Sequence, residues 1–114
     1  MKYLACLAAM MALSGCATYS PGDDPLGQKL QVLGAPVLEA AREYMDSNAR
    51  YPRSIQELVP KYLAAIPDEP KVYFDVKGAT FLFKYKQEDH GGLPVVCHAL
   101  IGQTEWVCAI SQDD

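Results

Sequence analysis

In Pro94-Val95-Val96-Cys97-His98-Ala99-Leu100-Ile101-Gly102-Gln103-Thr104-Glu105-Trp106-Val107-Cys108-Ala109-Ile110, two β-prone arms flank a Gly-Gln pair. Taking Gly102-Gln103 as a two-residue hairpin loop puts Gly at the first central position, as a type II′ turn prefers. Ile101 then faces Thr104, Ala99 faces Trp106 and Cys97 faces Cys108. Directly opposed cysteines have Cα separations that a disulfide spans. The same register lines Val95, Cys97, Ala99, Ile101, Trp106, Cys108 and Ile110 along one apolar face. Two independent criteria choose one register, so Cys97 and Cys108 are expected to form a structural disulfide. A zinc site would need further ligands, and His98 points to the other face. A redox pair is more often C-x-x-C near a helix start.

Upstream, the same period of two continues. Val72, Phe74 and Val76 alternate with Tyr73 and Asp75, and Ala79, Phe81, Phe83 and Tyr85 alternate with Thr80, Leu82, Lys84 and Lys86. A Lys77-Gly78 turn pairs Phe74 with Phe81 and Val72 with Phe83. One face is apolar and the other mostly polar, as in an antiparallel sheet covered on one side. Gln87-Glu88-Asp89-His90-Gly91-Gly92 reads as the loop to the third strand.

Further upstream, Leu26, Leu30, Leu33, Val37, Ala41, Tyr44 and Met45 fall at helical spacings of three and four. Pro36 either kinks this helix or marks its start, and residues 37–48 are helical in both cases. Glu39, Arg42, Glu43 and Asp46 form its solvated face. Ser54-Ile55-Gln56-Glu57 matches the S-x-x-E capping box of a short helix that stops at Pro60. Pro67 and Pro70 keep the next stretch extended. The helix stripe and the sheet face need each other for burial. The expected fold is therefore α+β: an N-terminal amphipathic helix packed on a roughly four-stranded antiparallel meander.

Within residues 38–85, Tyr44, Asp46, Asn48, Tyr51, Pro52, Leu58, Val59, Tyr62, Leu63, Pro67 and Pro70 form a pattern of turn and packing residues. The pattern resembles the globular part of type IV pilins and type II secretion pseudopilins. In that family a helix ends in a Tyr and an Asp-Asn-Gly-like turn. A Tyr-Pro and a Leu-Val-Pro-x-Tyr-Leu-like segment then lead into an antiparallel sheet. The resemblance implies a pilin-like fold. It does not imply a filament subunit, because the family's long apolar N-terminal helix and calcium-binding C-terminal loop have no counterpart pattern here.

The N-terminal run has one cation, Lys2, then an apolar stretch over residues 3–13, too short for the roughly 20 residues of a membrane span. It ends in Leu13-Ser14-Gly15-Cys16, which resembles the lipobox of bacterial lipoproteins. That resemblance implies a signal peptide over residues 1–15 and lipidation of Cys16 through its sulfur and amine. It also implies a cell-envelope location, disulfide-permissive, facing the periplasm. Ala17, where an Asp would favour inner-membrane retention, leans toward the outer membrane. Residues 16–25, rich in Pro, Gly, Ser and Asp, read as a flexible tether, and residues 26–114 as the domain. Of four cysteines, one leaves with the signal, one takes lipid and two pair.

The 114 residues, half of them hydrophobic, suit one small ordered domain. A net charge of −4 argues against a nucleic-acid partner. His90 sits in an acidic loop beside Glu88 and Asp89, and His98 is diagonal to Glu105. The first is expected as a solvated loop rather than a metal site, and the second as a cross-strand surface pair rather than an acid–base site. No G-x-S-x-G or P-loop spacing occurs, so neither an enzyme nor a cofactor is expected. Tyr51, Tyr62 and Tyr73 are the candidate interaction surface, tyrosine being enriched at interfaces. The expected function is a lipid-anchored, non-catalytic interaction or assembly module. Its expected partners are the membrane and envelope secretion or pilus proteins. The alternative is a small-ligand or metal-binding periplasmic lipoprotein using the 88–92 loop and His98.

Overall fold

The computed structural model describes residues 19–111. The expected signal peptide, the lipobox-like Leu13-Ser14-Gly15-Cys16 and its lipidation lie outside the described residues. The order is α1 (Pro25–Asn48), a 3-10 turn (Ile55–Leu58), β1 (Tyr73–Lys77), β2 (Thr80–Gln87), a 3-10 turn (Glu88–His90), β3 (Leu93–Leu100) and β4 (Val107–Ile110). The strands form one antiparallel sheet in the order β1-β2-β3-β4, the α+β meander expected.

Helix α1 starts at Pro25 and runs unbroken through Pro36 for 24 residues. A proline deletes the rung to the carbonyl four residues back. Here that rung joins two exposed residues, Val32 and Pro36, so the core stripe is untouched. The stripe is Gly27, Leu30, Gly34, Val37, Leu38, Ala41 and Tyr44, all buried. A Cβ on Gly34 would come within 2.8 Å of both Phe81 and Trp106, so glycine there lets the helix approach the sheet. Val37, Leu38, Ala41 and Tyr44 join Phe81, Ala99, Ile55 and Leu58 in one core cluster. Leu30 joins Phe83, Tyr85, Val95 and Cys97 in a second. Trp106 packs against both, 5.3 Å from the Phe83 ring and 5.9 Å from Phe81.

Cys97 and Cys108 are joined, in the register the apolar face requires. Two turns differ from expectation. The β3–β4 turn is centred on Ile101-Gly102, with the Gln103 N–H donating to the Leu100 carbonyl at 2.9 Å. The ladder therefore closes at His98–Val107, and Ala99 and Trp106 are not a strand pair. In the first hairpin Phe74 pairs with Phe83 and Val76 with Phe81, which moves the turn to Gly78-Ala79. Gly78 takes φ 59°, which puts it at the first central position of a II′-type turn. The shift is by two residues, so the facing of every side chain is preserved.

The capping box does not form. Ser54 makes no side-chain cap bond. The Glu57 carboxylate instead accepts from the Arg53 N–H at 2.7 Å, the Arg50 guanidinium at 3.3 Å and the Tyr44 hydroxyl at 3.2 Å. The Arg53 amide, then Arg50, hold the Glu57 carboxyl below its ordinary range. The connector is thereby tied to the end of α1.

Candidate functional site

The sheet face turned away from α1 is set by the ladder. Its rows run Lys86-Pro94, Tyr73-Lys84-Val96-Ala109, Asp75-Leu82-His98-Val107 and Lys77-Thr80-Leu100. Tyr73 is 53 % exposed, Leu100 51 % and Val107 57 %. This face has two halves. The half nearer the β1–β2 turn is mixed, with exposed Leu100 and Val107 and half-buried Leu82 among Asp75, Lys77, Thr80 and His98. The half nearer the β2–β3 turn is cationic. There Lys71, Lys84 and Lys86 line a groove of about 690 Å³ with Val72, Tyr73, Gly92 and Pro94. The Tyr73 hydroxyl donates to Asp75 at 2.8 Å, which occupies the nearest carboxylate on that face. No ion pair is formed by these three lysines among the described residues.

The described part of the expected tether, Tyr19–Asp24, is fastened to the same end of the sheet. The Tyr19 N–H donates to Asp89 Oδ2 at 2.6 Å, and its carbonyl accepts from His90 Nε2 at 2.7 Å. A carbonyl only accepts, so that ring nitrogen carries the proton. Gln87, fully buried, accepts from the Gly22 N–H at 3.0 Å and donates to the carbonyls of Tyr19 and Ser20 at 3.3 and 3.4 Å. Buried Asp24, which precedes α1, accepts from the Tyr85 hydroxyl. Burial pushes the Tyr85 phenol well above its ordinary range, and Asp24 pushes it the same way. Gly22, at φ 85°, sits where any Cβ would strike the Cys97–Cys108 sulfurs. Residues 19–24 thus belong to the domain.

The three candidate tyrosines occupy three settings. Tyr51 is exposed after α1. Tyr62 packs edge-on against Tyr44 at 5.4 Å and joins the core. Tyr73 lies on the opposite, open face of the sheet, so the three do not make one patch. His98 and Glu105 border one shallow recess of about 310 Å³ with Leu100 and Val107, and no hydrogen bond joins them. Asp89 Oδ2 and His90 are engaged by Tyr19, Asp89 Oδ1 is buried without a hydrogen-bond partner among the described residues, Glu88 stays exposed, and among the described residues no three His, Cys, Asp or Glu side chains gather around a metal-sized site.

No family model, curated protein or solved structure matches the chain. Among the described residues no helix is long and apolar enough to cross a membrane. The site is therefore read from its own chemistry. Sequence reasoning missed Gln87 and the lysine groove. For Gln87 a signal existed: it continues the buried series Phe81, Phe83, Tyr85, and a polar side chain at such a position needs partners. For the lysines the spacing of Lys84 and Lys86 placed both on one face, but Lys71 arrives from the loop before β1.

Proposed function

We propose that the chain is a lipid-anchored envelope protein whose domain is a non-catalytic interaction or assembly module. The observation that carries this reading is the open face of the sheet. Leu100 and Val107 stand exposed and Leu82 half-buried on it, while the other face is covered by α1 and the connector. Contiguous exposed apolar surface marks interaction sites. The lipobox-like Leu13-Ser14-Gly15-Cys16 supports the anchor, and the joined Cys97–Cys108 pair is in keeping with an oxidising compartment.

We read the fold as pilin-like. Tyr44, Pro52, Leu58, Tyr62 and Leu63 of the resemblance pattern are packing residues between the helix end and the connector. Helix, connector and meander follow in the same order as in that family. The partner expected on this basis is a protein of an envelope secretion or pilus system.

Site-specific photo-crosslinking in membranes tests the reading. A crosslinker at Leu100 or Val107 should capture one envelope protein, and one at Glu43 on the far side of α1 should not. Capture from Glu43 alone would overturn the assignment of the sheet face. Mass spectrometry of the membrane-extracted chain should find acyl groups on Cys16, and an unmodified Cys16 would remove the anchor.

A further inference from the structure

We infer that the groove between Lys71, Lys84 and Lys86 binds net-anionic lipid headgroups, those whose phosphodiester charge no choline or amine neutralises, on the membrane that carries the anchor. The inference rests on the reading that Cys16 is lipidated. From Cys16 to Tyr19 is three residues, so a fully extended chain spans at most about 11 Å. Tyr19 in turn is held by Gln87, Asp89 and His90. Gln87 adjoins Lys86, and Gly92 at the other side of the same turn lines the groove. An anchor on Cys16 therefore leaves the β2–β3 end of the sheet at the lipid surface, near the reach of headgroup charge, with a screening length of about 8 Å.

The charge pattern fits that placement. The chain after residue 15 has nine cations against fourteen carboxylates, which an anionic surface repels as a whole. The acids on the exposed flank of α1 are far from the anchor. Glu39 and Glu43 lie about 20 and 27 Å along the helix from Pro25. Of the carboxylates at the anchored end, Asp24 accepts from Tyr85, Asp89 from Tyr19, and Glu69 is paired with Lys29 at 3.1 Å. Asp23 and exposed Glu88, which borders an adjoining recess with Lys71 and Lys86, remain. Against them stand three lysines converging on one groove, with Val72 and Tyr73 as its apolar wall. Tyrosine beside cations suits the headgroup layer, where one end of the ring is apolar and the other wet.

The test uses the full chain purified from membranes and reconstituted into two kinds of vesicle. One is phosphatidylcholine alone, and the other contains phosphatidylglycerol as well. Lysine acetylation rates are read residue by residue by mass spectrometry. In phosphatidylglycerol vesicles at low salt, Lys71, Lys84 and Lys86 should react about fivefold more slowly, the factor equivalent to one surface cation on an anionic membrane. Lys61, and Lys77 at the far end of β1, should not change, and high salt should restore all rates. Equal rates in the two vesicles would overturn the inference. So would equal protection by inorganic phosphate with phosphatidylcholine vesicles, which would show a site for free anion. The same spectra report the mass on Cys16. Acylated Cys16 with unprotected lysines keeps the anchor and removes the groove. Protected lysines on a chain without acyl groups do the reverse.

Discussion

Gln87 is fully buried and makes polar contacts with three backbone groups, at Tyr19, Ser20 and Gly22. Removing a partner from a buried donor costs its desolvation, about 1–3 kcal/mol. Gln87→Leu, similar in size, strands the Gly22 N–H. It should lower the unfolding free energy by that amount, seen as a lower urea midpoint with an unchanged slope, and an unchanged midpoint would show the Gly22 amide finds another acceptor. Asp89 next door makes the seam sensitive to acid. The Tyr19 amide holds its carboxyl below the usual carboxylate range. A group whose folded value is depressed stabilises above its unfolded value and loses this as pH falls through the folded one. The Tyr19 contact is therefore intact at neutral pH and weakens below about pH 4. Tyr19 amide exchange protection, measured relative to Phe83, should fall in acid, and Asp89→Asn should abolish that dependence. These contacts join residues about 65–70 positions apart. No local pattern in Ser20-Pro21-Gly22-Asp23-Asp24 announces them, and composition alone reads there as linker.

At the scale of elements, α1 ends without the residue its geometry favours. Ala49 takes φ 56°, ψ 28° at the C-cap, its N–H bonding the Met45 carbonyl at 2.8 Å. A Cβ in this left-handed region costs about 1–2 kcal/mol, offset in part by the greater freedom glycine has when unfolded. Ala49→Gly should therefore raise stability by up to about 1 kcal/mol, seen as a higher thermal midpoint. A lower midpoint would mean the Ala49 methyl contributes packing that outweighs the strain. Elements were legible where two requirements coincided. Cys97 opposite Cys108 satisfied both bond geometry and facing, so the register survived a misplaced turn. The first hairpin had only the alternation, and a slip of two residues keeps facing intact. Its turn position then depends on Gly78, which pattern alone leaves ambiguous. The helix through Pro36 was undecided in the sequence because periodicity does not say which side faces solvent. Here Val32 and Pro36 both do.

For the whole molecule the consequence concerns where the domain begins. A boundary at Leu26 leaves every core cluster intact, since no core residue precedes it. It nevertheless removes both hydrogen-bonding partners and cover. Gln87 and Tyr85 lose Tyr19, Ser20, Gly22 and Asp24, and the disulfide loses Gly22, whose position a side chain could not share. Two effects follow from one truncation. With each of these four net hydrogen bonds contributing about 0.5–1.5 kcal/mol, a chain of residues 26–114 should be about 2–6 kcal/mol less stable than one of residues 19–114. Its Cys97–Cys108 bond should also be reduced faster by thiols, because rate depends on access to the sulfurs. Urea unfolding measures the first and timed alkylation the second. Equal midpoints with equal reduction rates would mean that residues 19–24 lie on the surface without contributing. A lower midpoint with faster reduction would instead make the segment leading to Cys16 the domain's edge. A lipid anchor on Cys16, as proposed, would then keep the β2–β3 end of the sheet within about 11 Å of the lipid, the greatest span of three residues.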